Sequence, residues 1–170
     1  ITRINGLLKQ LMDFAKPAPP TLQSLDPHGI IDSTADLLSN EILKKRLILR
    51  KEYLGTGSRI EADSNQLKQV VLNLLPNAIQ ASPKESTITI ATYAQKEWLV
   101  LEFIDKGPGI DEKILPKLFE PFTTSKPDGN GLGLSIVHSV ITEHRGRILA
   151  RNSPSGGAVF TVMLPIHEFS

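Results

Sequence analysis

The sequence contains no cysteine. Disulfides, thiol catalysis and cysteine-held zinc are thereby excluded, and the chain suits a reducing compartment. It has almost no excess charge: 19 Lys and Arg against 18 Asp and Glu leave a formal +1. No global field draws it to nucleic acid or to an anionic membrane, so neither is expected as a partner. No apolar run approaches the roughly 20 residues of a membrane span, and no signal-peptide pattern opens the chain. No internal repeat is visible. The first residues lack an initiator Met and fall inside a helical pattern, which reads as a piece of something longer. The remainder, 40% hydrophobic and 22% charged, has the composition of a soluble globular domain. The 170 residues give room for one full core and an appendage.

The most informative stretch is 65–82, NQLKQVVLNLLPNAIQAS. Wound as a helix, it places Gln66, Gln69, Asn73, Asn77 and Gln80 within an arc of roughly 80°. Leu67, Val71, Leu74, Leu75, Ala78 and Ile79 take the far side. A solvated face normally carries Lys and Glu; this one carries five carboxamides. Each amide offers one acceptor oxygen and two donor hydrogens, which suits a site for a metal ion and phosphate oxygens. Asn73 and Asn77, one turn apart, can reach one ligand together. A merely amide-rich solvent face is the other reading. Pro76, between the two asparagines, removes a backbone donor and crowds the carbonyl of Leu72. Either the helix kinks there or the site uses the freed carbonyl.

Along the chain, apolar residues at helical spacing run over 1–15, and a Lys-Pro-Ala-Pro-Pro linker follows. A short strand is predicted at 22–25. Asp26 as N-cap and Pro27 at the first helical position open a helix to about Lys44. Strands at 46–53 and 59–62 are joined by a Gly55-Thr56-Gly57 turn. Asp63 is the expected N-cap of the amide-striped helix. Strands 86–93 and 98–105 form a hairpin that ends in the sharp loop DKGPGI, 105–110. A helical turn at 113–119, an irregular polar segment at 120–130 and a helix at 132–143 precede strands 147–151 and 158–164. This order predicts an α/β sandwich of the α+β class, a mixed, mainly antiparallel sheet with three helices on one face. Residues 1–20 fall outside that sandwich, which occupies 21–170.

Three segments bear chemistry: the amide helix, DKGPGI and DGNGLGLSIV. In the third, Gly129, Gly131 and Gly133 bare backbone amides where a helix begins, an arrangement that binds phosphate; glycines also merely end loops. Rival motifs are missing. There is no GxxxxGK[ST]. A dinucleotide GxGxxG fails at Leu134 and lacks a preceding strand. No HRD or DFG appears. Asp105 closes an apolar strand and borders the core. When ionised it only accepts hydrogen bonds, so it suits the amino group of adenine and repels the oxygen of guanine. Stabilising the DKGPG turn is its other reading.

Together the segments resemble the ATP-binding motifs of the sensor histidine kinase family, within the wider group that includes gyrase, heat-shock-90 chaperones and mismatch-repair ATPases. NLLPNAIQAS resembles the N box, DKGPGI the G1 box, LFEPFTTSK the F box and GNGLGLSIV the G2 box. SGGAVFTVMLP is similar to the closing strand pair. LLKQLMDFAKP resembles the second helix of the dimerisation hairpin that precedes such domains, so that residues 1–20 read as a truncated hairpin helix and linker. The short segment from F box to G2 box is most like the nitrogen-regulation type.

The resemblance implies ATP and Mg²⁺ as ligands. Asn77 would coordinate the metal and Asn73 would assist with metal or phosphates. Asp105 would bind adenine, Gly107 and Gly109 giving close approach. Phe119 and Phe122 would anchor a lid over 123–129, and Gly131, Leu132, Gly133 and Leu134 would line the phosphates. Gln80, Ala81, Ile110, Thr123, Thr124, Gly129 and Thr161 complete the expected nucleotide contacts. Lys126 would be a lid cation near the terminal phosphate and, with Asn73, catalytic; a solvated loop lysine is its other reading.

The family phosphorylates its own histidine within a pattern like H-E-x-x-N-P-L. None of His28, His138, His144 and His167 has that context, so the acceptor is expected before Ile1. The expected partners are the missing hairpin with its histidine, a response-regulator receiver domain and a second copy of the full-length protein. The expected location is cytoplasmic, whether or not the parent is membrane-anchored. Three further readings remain: an ATP-driven clamp, a non-catalytic nucleotide-binding module and a serine kinase of the anti-sigma type. A clamp needs a carboxylate one turn before the metal asparagine, where this chain has Asn73. The hairpin-like helix argues against the serine kinase.

Overall fold

A computed structural model describes Arg3, Ile4, Gly6, Leu7, Leu11, residues 18–54, 57–127, Gly129 and residues 131–166. Arg3, Ile4, Gly6, Leu7 and Leu11 are helical. The rest of the helix expected at 1–15 lies outside the described residues, as do Gly55 and Thr56 of the predicted turn.

Two periodicities set the layers. In β4 (Thr87–Gln95), Ile88, Ile90 and Thr92 are buried and alternate with half-buried neighbours. β5 (Trp98–Ile104) and β7 (Ala158–Pro165) repeat the pattern with Leu99, Leu101 and Phe103, and with Phe160, Val162 and Leu164. Register aligns these faces: Ile90 sits opposite Phe103, and Phe103 opposite Phe160. With β2 (Ile48–Tyr53) and β6 (Arg147–Asn152) they form a five-stranded sheet in the order β2-β4-β5-β7-β6. Only the β2–β4 pair is parallel.

The helical period builds the second layer. α1 (Pro27–Leu37), α3 (Ser64–Ala81) and α4 (Gly133–Glu143) pack as a row, with α3 between the other two. Leu67, Val71, Leu74 and Leu75 of α3 are at most 1% exposed and join the sheet's inner face in one core. Truncating any of them to Ala would cost about 2–5 kcal/mol.

The structure changes two sequence expectations. The helix expected from Pro27 to about Lys44 is interrupted: Leu38 leaves helical geometry (φ −101°, ψ 9°), and a short α2 (Ser39–Lys44) turns the chain toward the sheet. The strands at 46–53 and 59–62 form no hairpin. β2 runs parallel to β4, whereas β3 (Ile60–Ala62) pairs with β1 (Gln23–Leu25) in a separate two-stranded sheet. A parallel pair needs a crossover, and α3 supplies it.

Candidate nucleotide site

α3 is fixed at both ends. Asp63 caps it: Oδ1 accepts from the N–H groups of Asn65 and Gln66, at 3.0 and 3.1 Å, and Oδ2 accepts from Thr21 N–H. Burial raises the Asp63 carboxyl, but these donors and the neighbouring His144 bring it below the ordinary carboxylate value. At the far end Lys45 Nζ donates to the carbonyls of Ile79, Gln80 and Ser82, at 2.7–3.0 Å. The helix passes through Pro76 to Ala81 without a break, so Asn73 and Asn77 keep their one-turn spacing.

Beside this helix lies a cavity of ≈ 670 Å³. That is room for a small-molecule ligand. Asn73, Asn77, Gln80 and Ala81 form its helix wall. Asp105, Gly109 and Ile110 line it from the DKGPGI loop, and Gly131, Gly133 and Leu134 from the start of α4 and the residues before it. Thr123, Thr124, Lys126 and Gly129 border it from the lid segment. A hollow of ≈ 470 Å³ between α1, α2 and β2 is lined by none of the expected site residues.

Asp105 is 4% exposed. Its Oδ1 accepts from the N–H groups of Gly107, at 2.9 Å, and Ala158, at 3.1 Å. The turn-stabilising reading therefore describes one oxygen. Oδ2 has no partner among the described residues, yet no buried side-chain oxygen there is left unsatisfied. Oδ2 therefore opens on the cavity as an acceptor.

The start of α4 also lines the cavity through Gly133 and Leu134, and its N-cap residue, Leu132, makes no side-chain cap bond. Gly133 abuts α3: a Cβ there would lie 2.7 Å from Asn73 Oδ1. The Asn73 Nδ2 donates to Gln69 O at 2.8 Å, which turns Oδ1 toward α4. Lys126 reaches across from the lid, its Nζ 2.7 Å from Gln80 Oε1 and 3.1 Å from Asn77 Oδ1. Burial lowers this ammonium below the ordinary lysine value, and the Asp105 carboxylate partly offsets the effect.

Other expected residues stand away from the cavity. Gly107 packs on Ala81, whose carbonyl oxygen a Cβ would meet at 2.5 Å. Its close approach is thus to protein. Leu132 is fully buried in the core. Phe119 is half-buried and stacks on His138, ring centroids 6.0 Å apart. Phe122 is 63% exposed, and its backbone lies close against Gly131. Thr161 lies on the other face of the sheet, where its hydroxyl donates to Glu102. The two-residue period of β7 gives the cavity Ala158 and Phe160 instead. Ile114 and Leu118 also line it and were not anticipated. Their apolar positions in the 113–119 turn were the available signal.

Among the described histidines, His28 and His144 are buried with both ring nitrogens engaged. His28 meets Asp26 and Thr92, each at 2.7 Å. His144 takes the Asp63 N–H on Nε2 and donates from Nδ1 to Val140 O. His138 is exposed, and His167 lies outside the described residues. No group of three His, Cys, Asp or Glu suited to a metal occurs among the described residues. No helix there is long and apolar enough to cross a membrane.

Residues 62–168 match the family described as Histidine kinase-, DNA gyrase B-, and HSP90-like ATPase. The chain is 37% identical over 165 residues to the sensor histidine kinase ZraS of Salmonella typhi, which covers 96% of this chain and 36% of that protein. It thus spans about a third of the length of such curated relatives. Among solved structures, the catalytic domain of histidine kinase ThkA is 32% identical with a TM-score of 0.78, over 85% of this chain and 95% of that one. Histidine kinase ThkA in complex with response regulator protein TrrA is 28% identical with a TM-score of 0.84, over 98% of this chain and 48% of that one. The chain belongs to this ATPase family, as an ATP-binding catalytic domain of the sensor histidine kinase kind.

Proposed function

We propose that ATP binds with Mg²⁺ in this cavity and that the chain transfers the γ-phosphoryl group to a histidine outside residues 1–170. The observation that carries the reading is that Asn73 and Asn77, Gly133 at the start of α4, and Asp105 line one cavity, with Asn73 Oδ1 close against Gly133. Asp105 Oδ2 accepts from the adenine amino group, with Gly109, Ile110 and Ala81 beside the base. Gln80, Thr123, Thr124 and Gly129 border the phosphates, and the N–H groups of Gly131, Gly133 and Leu134 donate to them. Gly107, Phe119 and Leu132 act by holding these segments in place.

The donor set fits a hard cation. Asn77 Oδ1 already holds a positive group, the Lys126 ammonium. Mg²⁺ retains waters and takes few protein ligands beside phosphate oxygens, so one amide without a carboxylate cage suffices. Asn77 would hold it, with Asn73 assisting; when bound, the ion neutralises charge on the phosphates. Lys126 then turns from the amides to the terminal phosphate. An acceptor imidazole nitrogen bonds to the γ-phosphorus as the bond to the bridging oxygen breaks and ADP leaves.

Asn73 is an amide whose Nδ2 is engaged with Gln69, so it takes no proton from water. The clamp reading therefore lacks its base. Residues 1–20 belong to the second helix of the hairpin and its linker; the parent acts as a homodimer in the cytoplasm and passes the phosphoryl group to a receiver domain.

The test incubates the chain with γ-labelled ATP, with and without a separate hairpin that bears the acceptor histidine. Acid-labile label on the hairpin alone is expected. Label on the chain by itself would make one of its own residues the acceptor. Tight ATP binding with no label anywhere would favour a non-catalytic module.

A further inference from the structure

The loop DKGPGI is gripped at its first and last residues by one cross-strand pair, Asn152 of β6 and Ala158 of β7. Ala158 N–H donates to Asp105 Oδ1 at 3.1 Å. The Asn152 amide takes both backbone groups of Ile110: Oδ1 accepts from Ile110 N–H at 2.7 Å, and Nδ2 donates to Ile110 O at 2.9 Å. Ile110 belongs to no strand, so no ladder supplies those two bonds. A short side chain that both donates and accepts takes the place of a strand neighbour, and asparagine has that chemistry.

The fit is close. Gly109 holds φ +84°, and a Cβ there would stand 2.7 Å from Asn152 Oδ1. The turn after Asn152 is wedged beneath the start of the loop, since a Cβ on Gly157 would collide with the Asp105 carbonyl. Asp105, Gly109 and Ile110 line the cavity, whereas Asn152 does not.

We infer that Asn152 is a positioning residue for nucleotide recognition: it sets the depth and angle of the adenine-facing loop without touching the nucleotide. The inference rests on the nucleotide reading of the cavity. Losing two backbone-directed bonds lets Ile110 and Gly109 drift from the base, and Asp105, pinned at the other end, loses its aligned partner surface.

The experiment measures ADP and GDP affinity by calorimetry, well below the melting temperature, for the parent, Asn152→Ala, Asn152→Asp and Ile148→Ala. Ile148 is a buried core residue of the same strand, 8% exposed, and it is not a partner in the hydrogen bonds that hold the loop. Its truncation supplies a comparable loss of stability with the clamp intact. Asn152→Ala is expected to weaken ADP by about tenfold and to narrow the preference for ADP over GDP. Asn152→Asp keeps an acceptor for Ile110 N–H but sets a carboxylate oxygen against Ile110 O, so it is expected to weaken ADP at least as much as Ala does. Should Asn152→Ala not fold, the Asp variant carries the same comparison. Ile148→Ala should melt earlier and bind as the parent does. Unchanged affinity in both Asn152 variants, or an equal loss in Ile148→Ala, overturns the clamp. A parent chain that binds neither nucleotide overturns the nucleotide reading itself, and the clamp with it.

Discussion

Asn73 Oδ1 lies 2.7 Å from the point that a Cβ on Gly133 would occupy, so the amide helix and the start of α4 meet with no room for a methyl group. Gly133→Ala must push Asn73 aside or shift α4. Alanine is also the better helix former, so stability is expected to change little. ATP affinity is expected to fall about tenfold. Calorimetry paired with a thermal melt separates the two effects. A variant that binds ATP as the parent does would show that this contact does not shape the site.

Base choice rests on Asp105. In Asp105→Asn the oxygen can still accept from Gly107 and Ala158, but an amino group then faces the adenine amino group. ATP should weaken by about 10- to 100-fold. GTP should compete poorly with ATP for the parent. Equal competition by the two nucleotides would mean that the base is not read through Asp105.

Lys126 spans from the lid to Asn77 and Gln80, so one charge links two walls of the cavity. Lys126→Met keeps the stem and removes the charge. Phosphoryl transfer to a supplied hairpin should fall about 100-fold, as for loss of one transition-state donor, with a smaller change in ATP affinity. Single-turnover labelling beside calorimetry measures the split. Full transfer by the variant would leave Lys126 a loop lysine.

Acid sensitivity follows from the α3 cap. The folded Asp63 carboxyl lies below its ordinary value of 3.8. Its stabilising effect is therefore complete above the unfolded value and is lost as pH falls through the lower folded one. Asp63→Ala should cost about 1 kcal/mol at pH 7. The gap to the parent should narrow below about pH 4. Denaturant melts at pH 7 and pH 3 measure it; a gap independent of pH would detach the cap from the titration.

The parts legible in the sequence are those written locally. The N-caps Asp26 and Asp63, the β4–β5 hairpin and the three glycine- or amide-bearing segments each signal themselves within a few residues. What escaped depends on distance. Asn152 meets Ile110 across 42 residues, and Lys45 reaches Ile79 across 34. The parallel pairing of β2 with β4 depends on α3 as a crossover, so adjacency in sequence suggested the wrong neighbour. Thr161 differs from Phe160 only by strand parity, which register fixes and composition does not. Phe122 sits in a motif-like segment, yet it holds a positive φ of 63° and is 63% exposed.

The central claim, that ATP and its metal are held between α3 and α4, is tested most directly by titrating ATP, with and without Mg²⁺, into the parent chain and Asn77→Ala. Asn77 is a half-buried residue on a helix whose core face is separate, so the variant should fold and melt near the parent. The parent is expected to bind ATP more tightly with Mg²⁺ than without it. In Asn77→Ala that metal-dependent gain should vanish, with Mg-ATP weakened by about tenfold or more. An unchanged affinity for Mg-ATP in the folded variant would remove Asn77 from the site and contradict the account.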